Sequence, residues 1–289
     1  MDQIESLFTQ KIPIGAWVKV FVDYLTDNFS AQFRAFSDSL GFAIEGFVDL
    51  LEAVPPLVLI AAICALAFWL HRSWRLVGLV AAGLLLILNL GYWEPTLQTI
   101  ALVVFSTIVC MLIGVPLGIL AAHRPWVYTA MRPVLDLMQT IPTFVYLIPT
   151  LMLFGLGMVP GLISTVIFAL PAPIRLTHLG ISSVPKPLLE AGQAFGATKQ
   201  QLLYKVELPH AMPTIMAGVT QCIMLSLSMV VIAALVGADG LGKPVVRALN
   251  SVNIAQGFEA GLAIVIVAIL LDRILKHAEP TARGSQKKA

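Results

Sequence analysis

Long apolar runs separated by short polar segments fill the chain from about residue 53 onward. A membrane-spanning helix needs about 20 mostly apolar residues, with a lower limit near 17. Seven runs come close to that length: 53–70, 76–93, 95–122, 143–157, 159–176, 211–236 and 258–275. A cluster of helix-breaking residues predicts a tight turn between the fourth and fifth runs, at Gly155, Gly157, Pro160 and Gly161. The pattern predicts an all-α integral membrane protein with about seven transmembrane helices.

Residues 1–52 show a different pattern, in which apolar residues recur every three or four positions between acids and glutamines. The clearest set is Val18, Phe21, Val22, Leu25 and Phe29. This spacing is typical of amphipathic helices, and the segment is long enough for one or two of them. We expect them to lie on the extracytoplasmic face of the membrane. Packing against the spanning helices is the alternative.

Composition supports a membrane protein and argues against other classes. Hydrophobic residues make up 58% of the chain and charged residues 12%, whereas a water-soluble domain carries about 25% charged residues. The net charge of +2 is too small to indicate a nucleic-acid partner. Most of the 18 Lys and Arg residues lie in alternate segments between the runs, which places the N-terminus outside and the C-terminus inside. Residues 53–93 then form an accessory hairpin of two spans, and 276–289 form a basic cytoplasmic tail.

One short stretch, Gly237–Lys243 (GADGLGK), has the spacing of a phosphate-binding P-loop. A P-loop also needs a preceding strand and a Ser or Thr after its Lys. Here the end of an apolar helical run precedes the glycines, Pro244 follows the Lys, and the topology puts the stretch outside the cell. We therefore predict a glycine-rich turn, followed by a short helix that Pro244 begins.

The sequence offers no catalytic or metal-binding cluster. Three cysteines occur singly within apolar runs without a CxxC pattern, so we expect small buried hydrophobic residues at Cys64, Cys110 and Cys222. The five histidines fall near the ends of runs on the cytoplasmic side and form no HExxH. We predict no catalytic residue and no metal site, which argues against an intramembrane enzyme.

The longest polar interval between runs, 177–210, has the pattern of a helix–turn–helix on the cytoplasmic side. Leu188–Phe195 is helix-forming, Gly196 interrupts it, and Thr198–Val206 forms a second helical stretch with Thr198 as its N-cap. A loop that only joined two spans could be much shorter. Its length and mixed faces therefore favour a docking surface over an ordinary amphipathic loop.

Seven positions in this interval carry a specific resemblance. They are Glu190, Ala191, Gly192, Gly196, Val206, Leu208 and Pro209. They resemble the EAA signature of ABC importer membrane subunits, with Gly192 where the signature usually has Ala. The resemblance implies that this EAA segment (residues 190–209) docks in a cleft of a separate ATPase. Two ATPase copies would use ATP and Mg²⁺, whereas this chain would bind no cofactor.

Three further stretches resemble the permease subunits of glycine betaine/proline betaine importers. They are 132–149 (RPVLDLMQTIPTFVYLIP), 166–181 (VIFALPAPIRLTHLGI) and 225–242 (LSLSMVVIAALVGADGLG). The resemblance runs over about 55–275 and implies a type I ABC importer permease core at 94–275. It also implies a multi-pass homodimer in a bacterial cytoplasmic (inner) membrane. Only 14 residues follow Leu275, so we expect the extracytoplasmic binding protein to be a separate chain.

The resemblance implies a substrate class, glycine betaine or a related quaternary ammonium osmolyte, because relatives for choline and carnitine share these stretches. An ABC permease for another small solute, such as an amino acid or a sulfonate, is the nearest alternative. A secondary transporter is a third interpretation. It would usually show ionisable residues within its spans, which are nearly absent here, and it has no use for an EAA segment.

Eight residues are candidates for a translocation pathway because they place polar groups or aromatic rings at membrane depth. They are Asp136, Gln139, Thr140, Phe144, Tyr146, Gln221, Ser226 and Ser228. Aromatic faces attract quaternary ammonium groups, and polar residues within the bilayer are costly unless they are used. Helix–helix packing is the alternative for each one. Asp136 has a further interpretation, an ion pair with Arg132 one helical turn earlier.

Overall fold

The computed structural model describes residues 13–275, and every regular element in that range is helical. The α-helices are α1 (Ile14–Glu52), α2 (Pro56–His71), α3 (Trp74–Asn89), α4 (Trp93–His123), α5 (Pro125–Thr140), α6 (Thr143–Phe154), α7 (Met158–Ala169), α8 (Pro171–Ser182), α9 (Lys186–Ala194), α10 (Lys199–Leu202), α11 (Leu208–Ala233), α12 (Gly242–Asn250) and α13 (Ile254–Leu275). A π turn at Leu203–Glu207 joins α10 to α11, and a 3-10 turn at Ala234–Val236 follows α11. The predicted basic tail and the first 12 residues lie outside the described residues.

Between residues 13 and 275, four helical runs are long and apolar enough to cross a bilayer unaided: α4, α7 with α8, the run from α10 through the 3-10 turn, and α13. They correspond to the third, fifth, sixth and seventh predicted spans. Helices α2 and α3 have 16 residues each, or about 24 Å at 1.5 Å per residue, which is shorter than the roughly 30 Å hydrocarbon core. Within the described range there are up to six spans if each of two bent helix pairs crosses as one unit. The number seven stays a prediction.

Prolines produce both of these bends. Helices α1 and α2 meet at 98° just before Pro56, and α5 and α6 meet at 95° across Pro142. A residue that precedes proline is pushed towards extended backbone, and Ile141 accordingly has ψ 132°. The fourth predicted span, 143–157, is therefore only the second arm of a bent pair. Helix α5, the first arm, was missed.

The turn predicted after that span is present. Gly155 and Gly157 have φ values of +81° and +129°, backbone conformations that other residues adopt only with strain. Pro160 and Gly161, which were predicted to share the turn, instead lie in the first turn of α7. Proline is tolerated there because its missing N–H has no intrahelical partner in any case.

Glycines bring α4, α8 and α11 into close contact at the centre of the bundle. Gly114 and Gly118 of α4 form a GxxxG pair, and a Cβ at Gly118 would lie 2.8 Å from the Ile174 backbone oxygen in α8. A Cβ at Gly180 of α8 would lie 3.1 Å from the Ala211 oxygen in α11. In membranes, where apolar burial contributes little to association, small residues let helices gain van der Waals contact instead. These three helices form the core on which the polar segments are mounted.

Helix α1 is one continuous helix whose two halves differ in burial. In the second half Ile44 is almost fully buried, and Ser37 Oγ donates to the Phe154 carbonyl oxygen at 3.1 Å. In the first half large side chains such as Trp17 and Tyr24 are exposed. Packing against the spanning helices, the alternative interpretation, therefore applies to the second half.

The Gly237–Lys243 stretch is a packed turn between α11 and α12. The Leu241 N–H donates to Thr99 Oγ1 of α4 at 2.9 Å, and Thr99 is fully buried. Helical residues precede the turn, where a P-loop requires a strand. The short helix α12 begins at Gly242, two residues before Pro244, the residue predicted to begin it.

The buried cysteine prediction is confirmed for Cys110 and Cys222, which are inaccessible, and Cys64 is half-buried. Cys110 Sγ donates to the Val166 carbonyl oxygen at 3.7 Å, so it packs between α4 and α7.

Candidate functional site

The first helix of the polar interval 177–210, α9, has no buried residue. Glu190 and Ala191 occupy exposed positions on it, and Gly192 is partly covered. Phe195, directly after the helix, is 93% exposed. A phenyl ring left in solvent beside a polar helix is typical of a surface that a partner covers. The EAA segment therefore has the exposure that docking requires.

Gly196 ends α9, as the sequence predicted, and it does so in a left-handed backbone conformation. Its φ is +77°, and its N–H donates to the Gln193 carbonyl oxygen at 2.9 Å, while the Ala197 N–H donates to the Gly192 oxygen at 3.0 Å. These two bonds make a Schellman motif, whose left-handed position favours glycine. The reversal fixes the angle at which α9 leaves the second helix of the loop.

Thr198 begins that second helix, as predicted. Its Oγ1 accepts from the Gln201 N–H at 3.3 Å, and the Gln201 side-chain oxygen accepts from the Thr198 N–H at 2.8 Å. This reciprocal pair is a capping box. The helix does not end at Val206, however. It continues through the π turn into α11, with Pro209 in the first turn of α11.

The departure from the EAA signature at Gly192 has a structural counterpart. A Cβ at Gly192 would lie 2.6 Å from a terminal methyl group of Leu202. Leu202, the last residue of α10, is buried. Leu202 thus occupies the space that an alanine methyl group would need, and this contact holds the two helices of the loop together.

A buried carboxylate in the loop was missed by the sequence analysis. Glu207, the last residue of the π turn, is 8% exposed, and its Oε2 accepts from His123 Nε2 at 2.7 Å. The available signal was an acid placed between Val206 and Leu208, at the start of an apolar run. Nearby, the His178 ring of α8 stacks on Tyr128 of α5 with centroids 3.8 Å apart. Both histidines thus lie at contacts between elements, in line with their predicted position at span ends.

The candidate pathway residues on α5 and α6 lie around the bend. Asp136 is exposed, and it accepts from Arg175 of α8 at 2.7 Å. The interpretation with Arg132 as its partner was wrong, because Arg175 of α8 pairs with it instead. Tyr146 donates to the Met138 carbonyl oxygen at 2.7 Å, which spans the bend. Its hydroxyl group is therefore already engaged.

Three of these residues are not buried. Phe144 is more than half exposed, and Thr140 is also exposed, while Gln139 is partly covered. The Thr140 hydroxyl group makes only a long local bond, 3.4 Å to the Leu137 oxygen. These side chains remain accessible on the outside of the single chain.

The candidates on α11 divide by face. Ser226 is fully buried and hydrogen-bonded to Ser106 Oγ of α4 at 3.0 Å, so helix packing accounts for it. Gln221 and Ser228 are exposed instead. They share an exposed stripe at helical spacing with Ala217 and Met224. We name these four residues the α11 stripe. Much of the rest of α11 is buried against α4, α7 and α8, so this stripe, which carries an amide and a hydroxyl group, is a face that the single chain leaves uncovered.

Comparison with known proteins gives a consistent result. Residues 114–284 match the family model described as binding-protein-dependent transport system inner membrane component. The glycine betaine transport system permease protein OpuAB of Bacillus subtilis is 48% identical over 268 residues, which is 92% of this chain and 94% of the relative. The glycine betaine/carnitine transport permease protein GbuB of Listeria monocytogenes is 46% identical, covering 94% and 98%.

More distant similarity extends to another relative and to a solved structure. The glycine betaine/proline betaine transport system permease protein ProW of Escherichia coli is 42% identical over 96% of this chain and 78% of the relative. A chain of the MetNI methionine ABC transporter, solved in an inward-facing conformation, has a TM-score of 0.55 at 25% identity. That match covers 62% of this chain and 91% of the solved one.

Proposed function

Because this chain belongs to the family of binding-protein-dependent transport system inner membrane components, we propose that it is the membrane subunit of an ATP-driven importer for glycine betaine or a related quaternary ammonium osmolyte. The observation that carries the proposal is the nearly full-length similarity to a glycine betaine permease. The methionine transporter shares the fold at a lower identity. An amino acid or another small solute, such as a sulfonate, is therefore the alternative substrate.

In this proposal the chain transports and a partner hydrolyses ATP. The exposure of α9 and of Phe195 supports a docking role for the EAA segment. Two ATPase subunits would each receive one such segment, and their closure on ATP and Mg²⁺ would push on it. Since α10 continues into α11 without a break, such a push would reach the membrane core directly.

A homodimer would cover the α11 stripe. An amide such as Gln221 is costly against lipid tails, because nothing there can satisfy its hydrogen bonds. A second copy packed on the same face would enclose the stripe between two α11 helices. A pathway at that interface would be lined by Gln221 and Ser228, with Phe144 offering a ring face to a quaternary ammonium group. An extracytoplasmic binding protein would deliver the substrate.

We further propose that the N-terminus lies outside and the C-terminus inside an inner membrane of a bacterium, in keeping with the distribution of Lys and Arg. The test uses two single-cysteine variants, Gln10→Cys and Ser285→Cys, in a chain whose native cysteines are replaced by alanine. A membrane-impermeant maleimide applied to intact spheroplasts is expected to label the first variant alone. Labelling of the second variant alone would reverse the topology.

The function is tested by uptake of radiolabelled glycine betaine. The chain is expressed with its ATPase and its binding protein in a transport-deficient cell, with and without unlabelled choline, carnitine and proline betaine. We expect uptake that needs both partners, and the competition pattern ranks the ligands. If an assembled complex takes up no betaine but does take up methionine or a sulfonate, the alternative substrate class is correct.

A further inference from the structure

The His123–Glu207 contact joins two elements that are far apart in sequence. His123 is the last residue of α4, and Glu207 is the last residue of the π turn, directly before the Leu208-Pro209 end of the EAA segment. The Nε2–Oε2 distance is 2.7 Å. The Glu207 side chain is 11% exposed and the His123 side chain is 44% exposed. The pair thus lies at the cytoplasmic end of the core helices, and Glu207 is the more buried of its two side chains.

Because Glu207 is buried, its carboxylate depends on the bond to His123 more than the members of an exposed ion pair depend on each other. A carboxylate that leaves water needs a charged or hydrogen-bonded partner. An exposed ion pair contributes little, but removal of one member of a buried pair leaves an uncompensated charge. His123 is placed well for this role, because a donor at the C-terminal end of a helix also interacts favourably with the helix dipole.

The π turn explains how Glu207 reaches α4. A π turn adds a residue to the helical repeat, so the face that the helix presents changes at this point, and such turns are frequent at functional sites. Leu203 at the start of the turn and Leu208 just after it pack against the same buried cluster as Ile119 and Ala122 of α4. The ion pair closes the cytoplasmic edge of that cluster. The end of the EAA segment is therefore fastened to α4 by a directional bond as well as by apolar contact.

The packing of α4 on the other core helices determines how the His123–Glu207 pair affects their movement. Helix α4 packs closely on α8 through Gly114 and Gly118. The run Lys199–Val236 is one continuous helical rod. A displacement of α10 therefore moves α11, which already packs on α8 through Gly180 and Ala211 and is bonded to α4 through Ser226 and Ser106. At the cytoplasmic end of the rod, the His123–Glu207 contact adds a directional link between the π turn and α4.

We propose that His123 and Glu207 are positioning residues that hold the EAA segment to α4, so that movement of the segment turns the core helices as one body. The inference rests on the proposed function for its driving force, because it takes the ATPase as the source of movement. Loss of either residue lets the cytoplasmic end of the rod, at α10 and the π turn, move relative to α4. ATP is then hydrolysed with less transport, although the ATPase still docks.

The test is a double-mutant cycle on the complete transporter in proteoliposomes. His123→Ala, Glu207→Ala and the double variant are compared with wild type in glycine betaine transported per ATP hydrolysed. We expect each single variant to lower that ratio about tenfold, within the range of coupling energies between sites. The double variant should lose no more than either single one, because both act through the same contact. Losses that multiply, or an unchanged ratio, would overturn the proposal.

The matched control is Asp239→Asn. It breaks the exposed Asp239–Lys243 pair beyond the other end of the same helical rod, and its ratio should equal that of wild type. Co-purification of the ATPase with every variant excludes a mere loss of docking, which a purely structural role would produce.

A second measurement tests the positioning role without depending on which substrate is transported. Spin labels are attached at the exposed positions Arg124 and Gln200 of the full complex, with the native cysteines replaced by alanine. In wild type their distance distribution should stay narrow both without nucleotide and with ATP and vanadate. In Glu207→Ala it should broaden or shift with nucleotide. Identical distributions would refute the positioning role even if betaine proves to be the wrong substrate, and absent uptake by wild type would refute the substrate alone.

Discussion

Two glycine-containing segments flank α11, and they differ in what their glycines do. In the turn at Gly237–Lys243 the glycines let the backbone press against α4 and α11, and a Cβ at Gly242 would collide with the Val230 carbonyl oxygen. In the polar interval 177–210, hereafter the loop, Gly196 has open space around it and supplies only a left-handed backbone conformation. The turn is packed into the bundle, whereas the loop leaves α9 exposed on the surface.

This difference shows that the spacing of a motif does not by itself establish its function. The turn has the spacing of a nucleotide-binding loop, but its Leu241 N–H is used by Thr99 rather than being open to a phosphate. The loop has no such spacing, but its helix α9 has no buried residue and can meet a partner. Substitutions in the turn should therefore change folding, whereas substitutions in the loop should change coupling and leave folding intact.

The largest expected effect follows from Gly242→Ala. The added methyl group has to displace backbone, so we expect a loss of about 1–3 kcal/mol of stability from overpacking. The measurement is the thermal unfolding midpoint of the detergent-purified protein. Gly261→Ala in α13 is the matched control, since nothing lies within 4 Å of its Cβ, and alanine should stabilise that helix by up to about 1 kcal/mol. Equal midpoints for Gly242→Ala and wild type would mean that the turn is not tightly packed.

Next in size is Gly196→Pro in the loop. Proline fixes φ near −65°, which is incompatible with +77°, and it removes the N–H that donates to Gln193. We expect uptake to fall on the order of tenfold or more, with an unfolding midpoint close to that of wild type. Gly196→Asn is the control, because asparagine tolerates the left-handed region, and it should keep most of the uptake. A large drop in the midpoint for the proline variant would contradict the separation between the two segments.

Glu190→Lys should act through docking alone. Glu190 is exposed and makes no ion pair among the described residues, so reversing its charge costs the free subunit little. If it lies centrally in the ATPase contact, uptake should fall on the order of tenfold. Asp27→Lys on exposed α1 makes the same charge change away from the loop and should leave uptake near wild type. Wild-type uptake and ATPase association for Glu190→Lys would remove this residue from the coupling surface.

The parts of this architecture that the sequence predicted are those set by local chemistry. The Thr198 cap and the Gly196 reversal each depend on a few neighbouring residues, and both were found. The bend at Pro142 was not predicted: the run 143–157 corresponds to α6 alone, and α5 was missed because its polar residues interrupt the apolar pattern. The Glu207–His123 pair joins residues 84 positions apart, and the Arg175 partner of Asp136 depends on how α8 packs. No local pattern encodes such contacts.

The smallest expected effect, Lys243→Ala, tests the comparison most directly. Lys243 pairs on the surface with Asp239, four residues earlier in the turn, and exposed pairs of this kind contribute about 0.2–1 kcal/mol. We expect at most a slight change in the unfolding midpoint and unchanged uptake. Binding of a fluorescent ATP analogue to the purified subunit, measured without its ATPase, should be at background for both wild type and variant. Saturable binding by wild type that Lys243→Ala abolishes would show that the turn holds nucleotide after all. The turn would then have to open on binding, because the Leu241 N–H that donates to Thr99 cannot also bind a phosphate.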